Sequence, residues 1–191
     1  MNTDFLSEPI FLILLVGLLS SSFLSINAKN QTGSERTNTL VISALAFSLT
    51  GMLTSAVTYA IYNSMISKGH SPLCSSDGFI SCAEILSNPS FNTMLSLPWG
   101  LIGISGFVLL LYLVLSIRMD PHARWVSNHL DYSWYASIVG MVLVGYLIIV
   151  ELVFVDGAPH ICAYCTVAHL SMIGFLVSAH NLREHKANGD W

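Results

Sequence analysis

Charged residues are scarce in this chain. They make up 9% of the sequence, whereas soluble globular domains contain about 25%. Hydrophobic residues, in contrast, make up 53%. This balance excludes an ordinary soluble domain and indicates a membrane protein. The formal net charge of −4 also gives no indication of nucleic-acid binding, which requires a basic surface.

Long intervals without any charged residue locate the membrane-spanning segments. A bilayer core about 30 Å thick needs about 20 apolar residues of helix. Five intervals meet this requirement and predict helices over roughly 9–27, 39–62, 98–117, 133–155 and 163–182. The first is interpreted as a helix rather than a signal peptide, because Asp4 and Glu8 stand where a signal peptide has basic residues.

The predicted fold is an all-α membrane protein, with a four-transmembrane-helix bundle plus one additional N-terminal transmembrane helix. A polar linker follows the first helix, so residues 1–38 are expected to form one unit. Residues 39–191 are expected to form the catalytic domain, with an outer cysteine loop at 63–97.

Basic residues are few and unevenly placed. Five spans put six of them on one face of the membrane and only Lys68 on the other. The six are Lys29, Arg36, Arg118, Arg124, Arg183 and Lys186. The positive-inside rule predicts that their face is cytoplasmic. The loop 63–97 and the turn 156–162 are therefore expected outside.

The four cysteines are Cys74, Cys82, Cys162 and Cys165, and this topology places all of them outside. Disulfides form and persist in that environment. The Cys162-Ala-Tyr-Cys165 motif immediately precedes the last helix, where the helix dipole favours thiolate. Its spacing of one turn keeps both sulfurs on the same side of the helix start.

From spacing alone, three interpretations remain open. The cysteines can form a redox relay, two structural disulfides, or a zinc site with His160 or His169 nearby. The first pair is eight residues apart, which is wider than the gap of two to four that zinc sites usually show.

Three motifs occur together in a fixed order. The pair Cys74 and Cys82 leads into Cys82-Ala-Glu-Ile-Leu-Ser-Asn-Pro. Leu97-Pro-Trp-Gly-Leu-Ile-Gly103 then opens a span, and Cys162-Ala-Tyr-Cys165 opens the last one. This pattern resembles the vitamin K epoxide reductase family, in its bacterial and archaeal disulfide-forming type, over about 39–182. In the other quinone-linked family, the disulfide-bond protein B type, the C-x-x-C pair precedes the wider pair. The order in this chain is the reverse, which favours the resemblance to the vitamin K epoxide reductase family.

The resemblance implies a role for each cysteine. Cys74 would be the shuttle cysteine that meets a separate thioredoxin-like thiol protein. Cys82 would relay to Cys162, and Cys165 would face a membrane-soluble quinone of the ubiquinone or menaquinone (vitamin K) type.

It also implies three polar residues that contact the quinone. Ser87 matches the first serine of a Ser-Ser pair in the family, and Asn88 replaces the second, with an amide that can still donate and accept hydrogen bonds. His169 stands where some members have a tyrosine near the quinone oxygen, and an imidazole there can donate a hydrogen bond or a proton.

The implied function is a thiol:quinone oxidoreductase that supports disulfide bond formation. Its location would be a bacterial or archaeal cell membrane with the cysteines outside, or the ER membrane with the cysteines lumenal. The alternatives are a vitamin K epoxide or quinone reductase of the ER, and a non-catalytic membrane protein stapled by disulfides. Glu151, near the outer end of a span, is expected to snorkel to the interface rather than take part in the chemistry.

Overall fold

The computed structural model describes residues 8–71, 82–88, 90–155, 158–189 and 191, apart from the side chains of residues 83, 84 and 87. The helices are, in chain order, α1 (Pro9–Asn27), α2 (Gly33–Lys68), α3 (Cys82–Ser87), α4 (Trp99–Met119), α5 (Val126–Ile149) and α6 (Ala163–Ala187). A 3₁₀ turn (Ala28–Asn30) follows α1, and a π-helical turn (Val150–Phe154) extends α5. The strands β1 (Thr93–Met94) and β2 (Leu97–Pro98) form a small antiparallel hairpin.

Among the described residues, five helices are long and apolar enough to cross a membrane: α1, α2, α4, α5 with its π-helical turn, and α6. This confirms the prediction of an all-α, multi-pass membrane protein. The predicted bounds of α2 are too short, because polar residues such as Asn38 and Asn63 stand inside the helix and do not end it. With 36 residues, α2 is about 54 Å long at 1.5 Å per residue, so it extends beyond the bilayer core.

The second helix is the centre of the bundle. It packs against α1, α4 and α6, and α5 closes the other side by packing against α4 and α6. Small residues let these helices approach closely. A Cβ placed on Gly100 of α4 would lie 2.6 Å from the backbone nitrogen of Tyr59 on α2, and one on Gly103 would lie 2.5 Å from the Ser55 hydroxyl.

The two ends of the bundle differ in character. At one end, the Arg183 guanidinium Nε donates to the Asp131 carboxylate at 2.6 Å, and the Trp191 indole donates to the Pro121 carbonyl at 2.8 Å. The six basic residues of the sequence pattern all belong to helix ends or connections at this end. The opposite end carries α3, the hairpin and the start of α6, and it is where the described cysteines lie.

The segment between α3 and α4 is folded tightly onto the bundle. Leu95 and Ser96 form the two-residue turn of the hairpin, both with positive φ (53° and 65°), as a hairpin turn that follows the twist of its strands requires. The Trp99 indole then donates to the Phe91 carbonyl at 2.8 Å. The hairpin, which the sequence pattern did not predict, thereby holds residues 90–92 over the end of α4.

Candidate active site

Two elements bring the three described cysteines together. Cys82 is the first residue of α3, and Cys162 is the N-cap of α6. The Cys162 sulfur accepts the backbone N–H of Cys165 at 3.3 Å, as an N-cap side chain does for an otherwise unpaired donor of the first turn. The Cys162 carbonyl accepts the N–H of Thr166 at 2.9 Å, which begins the helix at this motif.

The Cys162 thiol is in hydrogen-bonding contact with the thiols of both Cys165 and Cys82. No disulfide joins any two of these three cysteines, the ones that the structure describes. Cys162 is completely buried, whereas Cys165 is partly exposed. The Cys162 sulfur therefore lies between the sulfurs of Cys82 and Cys165. Successive thiol–disulfide exchange requires this arrangement.

Burial raises the pKa of the Cys162 thiol well above its usual range, and its hydrogen bonds with Cys165 and Cys82 raise this pKa further. The expectation that the helix dipole favours thiolate at this motif is therefore wrong for Cys162. Loss of water around the sulfur outweighs the favourable end of the helix, because a charge removed from water is costly unless it is paired.

A cavity of about 360 Å³ begins at Cys165 and runs between α2, α4, α5 and α6. Its walls are largely apolar, with Leu110, Leu143 and Met172 among them, and Phe91 and Trp99 lie on the side of α3 and the hairpin. This volume falls within the range of about 300–1,000 Å³ that is usual for small-molecule sites.

Five polar side chains of the described residues line this cavity and are also buried: Ser55 and Thr58 of α2, Asn92, Glu151 and His169. Glu151 lies in the π-helical turn that extends α5 and is only 5% exposed. Its expected snorkelling to the interface is therefore wrong, because the π-helical turn directs the carboxyl group inward. The carboxyl group accepts a hydrogen bond from the backbone N–H of Cys162 and contacts the Cys165 thiol.

The remaining predicted site residues have different outcomes. Cys74 lies outside the described residues, and the side chain of Ser87 is likewise not described. The Asn88 amide oxygen accepts the backbone N–H of Ser90 at 3.0 Å, and the residue this segment turns into the cavity is Asn92. The predicted quinone contacts of Ser87, Asn88 and His169 stay predictions.

Sequence reasoning missed Glu151 and Asn92 as components of the site. The available signal for Glu151 was an ionisable residue within reach of a membrane span, which is a functional-site hypothesis in its own right. Asn92 gave a weaker signal, because it is one of several polar residues in the segment from Ser87 to Ser96 and nothing in the pattern singles it out.

The N-terminal helix also reaches the motif. The hydroxyl of Tyr164, which lies between the two cysteines, donates to the Glu8 carboxylate at 2.8 Å. The Phe11 ring meets the Tyr164 ring edge-on, with their centroids 5.6 Å apart. Residues at the start of α1 therefore help to fix a residue inside the C-x-x-C motif.

Among the described residues, no group of three or more His, Cys, Asp or Glu side chains is arranged to hold a metal ion. Comparison with curated protein sequences finds no significant match. The model of the vitamin K epoxide reductase family matches residues 42–180, which include Cys74, Cys82, Cys162 and Cys165. Since this match covers well over half of the chain, the protein is a membrane oxidoreductase that belongs to the vitamin K epoxide reductase family.

Proposed function

We propose that this protein is a thiol:quinone oxidoreductase that reoxidises a separate thioredoxin-like protein and thereby supports disulfide bond formation. The supporting observation is the contact of Cys82 with Cys162 and of Cys162 with Cys165, at the point where Cys165 lines an apolar cavity between membrane-spanning helices. A chain of sulfurs that ends in a cavity accessible to a lipid-soluble molecule suits electron transfer from a water-soluble thiol to a quinone.

The proposed path has two thiol–disulfide exchanges and one oxidation. A thiolate of the reduced partner attacks the Cys74–Cys82 disulfide, and the partner leaves with a disulfide of its own. The reduced Cys82 then attacks the Cys162–Cys165 disulfide, which leaves both of these residues as thiols and re-forms the Cys74–Cys82 bond. Finally Cys162 and Cys165 form their disulfide again, and two electrons and two protons pass to the quinone.

The quinone would lie in the cavity beside Cys165. His169 is one helical turn beyond Cys165 on α6, and it is buried on the cavity wall. It is the group best placed to donate a hydrogen bond to a ring oxygen, and Asn92 offers an amide in the same cavity. Ser87 and Asn88, at the end of α3, stay in the proposal as further contacts to a ubiquinone or menaquinone.

The cysteines would face the outside of the cell or the ER lumen. Six of the seven basic residues belong to the end of the bundle opposite the cysteines, and the positive-inside rule places such an end in the cytoplasm. The proposed partner, a soluble thioredoxin-like protein with a disulfide to form, would then meet Cys74 in an oxidising compartment.

A reconstituted assay tests this function. Purified protein is mixed with a reduced thioredoxin-like protein and a short-chain quinone, and loss of the quinone absorbance is followed. We expect turnover that disappears on Cys165→Ala and on the corresponding change at Cys74, Cys82 or Cys162. A wild-type protein that does not accelerate quinone reduction, or a Cys165→Ala variant as active as wild type, would refute the proposal and leave a scaffold stapled by disulfides.

Reduction of vitamin K epoxide is the second candidate, favoured by the family to which the chain belongs. The same preparation, given vitamin K epoxide and a dithiol reductant, distinguishes the two. Formation of the quinone from the epoxide would support the second candidate. Oxidation of the dithiol with a quinone as acceptor, but not with the epoxide, would support the first.

A further inference from the structure

The carboxyl group of Glu151 is the one acidic side chain among the described residues that lines the cavity. It faces the reacting end of the relay, since it contacts the Cys165 thiol and accepts the N–H of Cys162. The titratable groups that act on it are Cys82 from α3 and Cys165 from α6, and His169 shares the same cavity further along α6.

The backbone around Glu151 is built to hold it there. Residues 150–154 form a π-helical turn, in which the N–H of Val155 donates to the carbonyl of Val150 at 3.2 Å. Single π-helical turns of this kind occur frequently at functional sites. The Glu151 carbonyl also accepts the N–H of His160 at 3.0 Å, which ties the end of α5 to the segment that leads into Cys162.

We propose that Glu151 is a catalytic acid–base residue, whose carboxylate takes the proton of the Cys165 thiol and returns it to the reduced quinone. This role rests on the proposed function, because it requires a quinone as the electron acceptor. A thiolate is the reactive form of cysteine, and a thiol in an apolar cavity needs a neighbouring base to take its proton. The Glu151 carboxyl group is in contact with the Cys165 thiol, and it borders the space in which the acceptor would lie.

The step balances as follows. Glu151 accepts the proton from Cys165, which becomes a thiolate. Two electrons pass from this pair of cysteines to the quinone as the Cys162–Cys165 disulfide forms, and Cys162 releases its own proton. The quinol receives two protons, one returned by Glu151 and one from Cys162. Glu151 is again a carboxylate, and two thiols and a quinone have become a disulfide and a quinol.

A purely structural role makes a different prediction. The carboxylate also serves the start of α6 by accepting the N–H of Cys162, and the side-chain oxygen of glutamine can accept the same hydrogen bond. A structural role therefore predicts that Glu151→Gln behaves like wild type, whereas an acid–base role predicts that it does not, because an amide cannot take up the proton of a thiol.

Two measurements on the purified full-length protein test the proposal. In the quinone assay, Glu151→Gln is expected to lower kcat by about 100-fold or more, the usual contribution of general acid–base catalysis, and Glu151→Asp is expected to retain part of the rate. In the second measurement, iodoacetamide labelling of Cys165 in the reduced protein is followed by mass spectrometry across a pH series. At neutral pH, labelling is expected to be faster in Glu151→Gln by about ten-fold or more, because a carboxylate beside a thiol disfavours the thiolate and only the thiolate reacts.

Ser137→Ala is the matched control. Ser137 is buried on the same helix, and its hydroxyl donates to the Trp134 carbonyl at 2.8 Å, so this variant is expected to label and turn over like wild type. If Glu151→Gln does not fold, Glu151→Ala with added formate replaces it, and a rate restored by formate but not by chloride supports the proposal. No effect of formate on that variant counts against it.

Unchanged kcat and unchanged labelling in Glu151→Gln would overturn the acid–base role and leave Glu151 as a structural residue. The two proposals can fail separately. If wild type reduces no quinone, the proposed function fails, but the labelling comparison still decides whether Glu151 stands beside Cys165 as a carboxylate that can take its proton.

Discussion

The backbones of α2 and α4 approach each other closely at Gly100, and substituting this residue should be destabilising. Gly100 is buried in the first turn of α4. A Cβ added there would lie 2.6 Å from the backbone N and 2.8 Å from the Cα of Tyr59 on α2, where ordinary contact begins at 3.4 Å. Because these atoms belong to the backbone, no side-chain rotation can relieve the overlap, and the two helices must separate by most of an ångström.

Two energy terms of opposite sign decide the size of the effect. Overpacking a close-packed contact typically costs about 1–3 kcal/mol. Alanine has a higher helix propensity than glycine, which returns up to about 1 kcal/mol. The net expectation for Gly100→Ala is a loss of about 1–2 kcal/mol, and each kcal/mol lowers Tm by about 2–4 °C in a chain of this size. Since Gly100 also borders the cavity, quinone turnover should fall as well.

The assay is thermal unfolding of the purified protein in detergent, at a fixed scan rate. Gly145→Ala is the matched control, because Gly145 lies in α5 and a Cβ added there meets nothing within 4 Å. Its Tm should equal or exceed that of wild type. A Gly100→Ala protein at least as stable as wild type would refute the claim that backbone contact at Gly100 sets the spacing of α2 and α4.

Three other substitutions examine separate parts of the structure. Tyr164→Phe removes the 2.8 Å hydrogen bond to Glu8. It should lower the free energy of unfolding by about 1 kcal/mol and therefore lower Tm. An unchanged Tm would show that this hydrogen bond contributes nothing to stability. Ala168→Phe should fill part of the cavity that Ala168 lines. It should raise KM for the quinone about ten-fold or more, equivalent to about 1.4 kcal/mol of binding. An unchanged KM would place the quinone elsewhere. Arg183→Gln breaks the partly exposed ion pair with Asp131 and should lower the free energy of unfolding by about 1 kcal/mol or less. Quinone turnover should be unaffected, because the ion pair is at the end of the bundle opposite the cysteines. A large fall in that turnover would contradict this separation.

The sequence was sufficient to predict the membrane-spanning helices, because scarcity of charge is a property of each segment by itself. The described part of the chain contains five such helices, and the predicted 9–27 coincides with Pro9–Asn27. The error is largest for α2, where polar residues such as Asn38, Asn63 and Ser67 hid the helical ends. Polar residues mark where a helix leaves the hydrocarbon, but they do not mark where the helix ends.

The site was less predictable, because its polar members come together only through tertiary structure. The C-x-x-C motif can be read locally, whereas the inward direction of Glu151 depends on a π-helical turn that shifts the helical face by one residue. The contribution of Asn92 depends on a hairpin whose turn contains Leu95 and Ser96, residues that are not typical of a turn with positive φ. Neither feature has a periodicity that a sequence pattern can show.

The geometry of the cysteine motif is consequently a property of the bundle rather than of four consecutive residues. One carboxyl group, from Glu151 on α5, accepts the N–H of Cys162. Another, from Glu8 at the start of α1, accepts the hydroxyl of Tyr164. The motif is thus held by a helix on either side, one of which lies outside residues 42–180 that match the family. In the proposed function, this thiol pair must keep its alignment to the acceptor while its disulfide repeatedly opens and closes. Contacts to residues other than the cysteines can maintain that alignment when the S–S bond is absent.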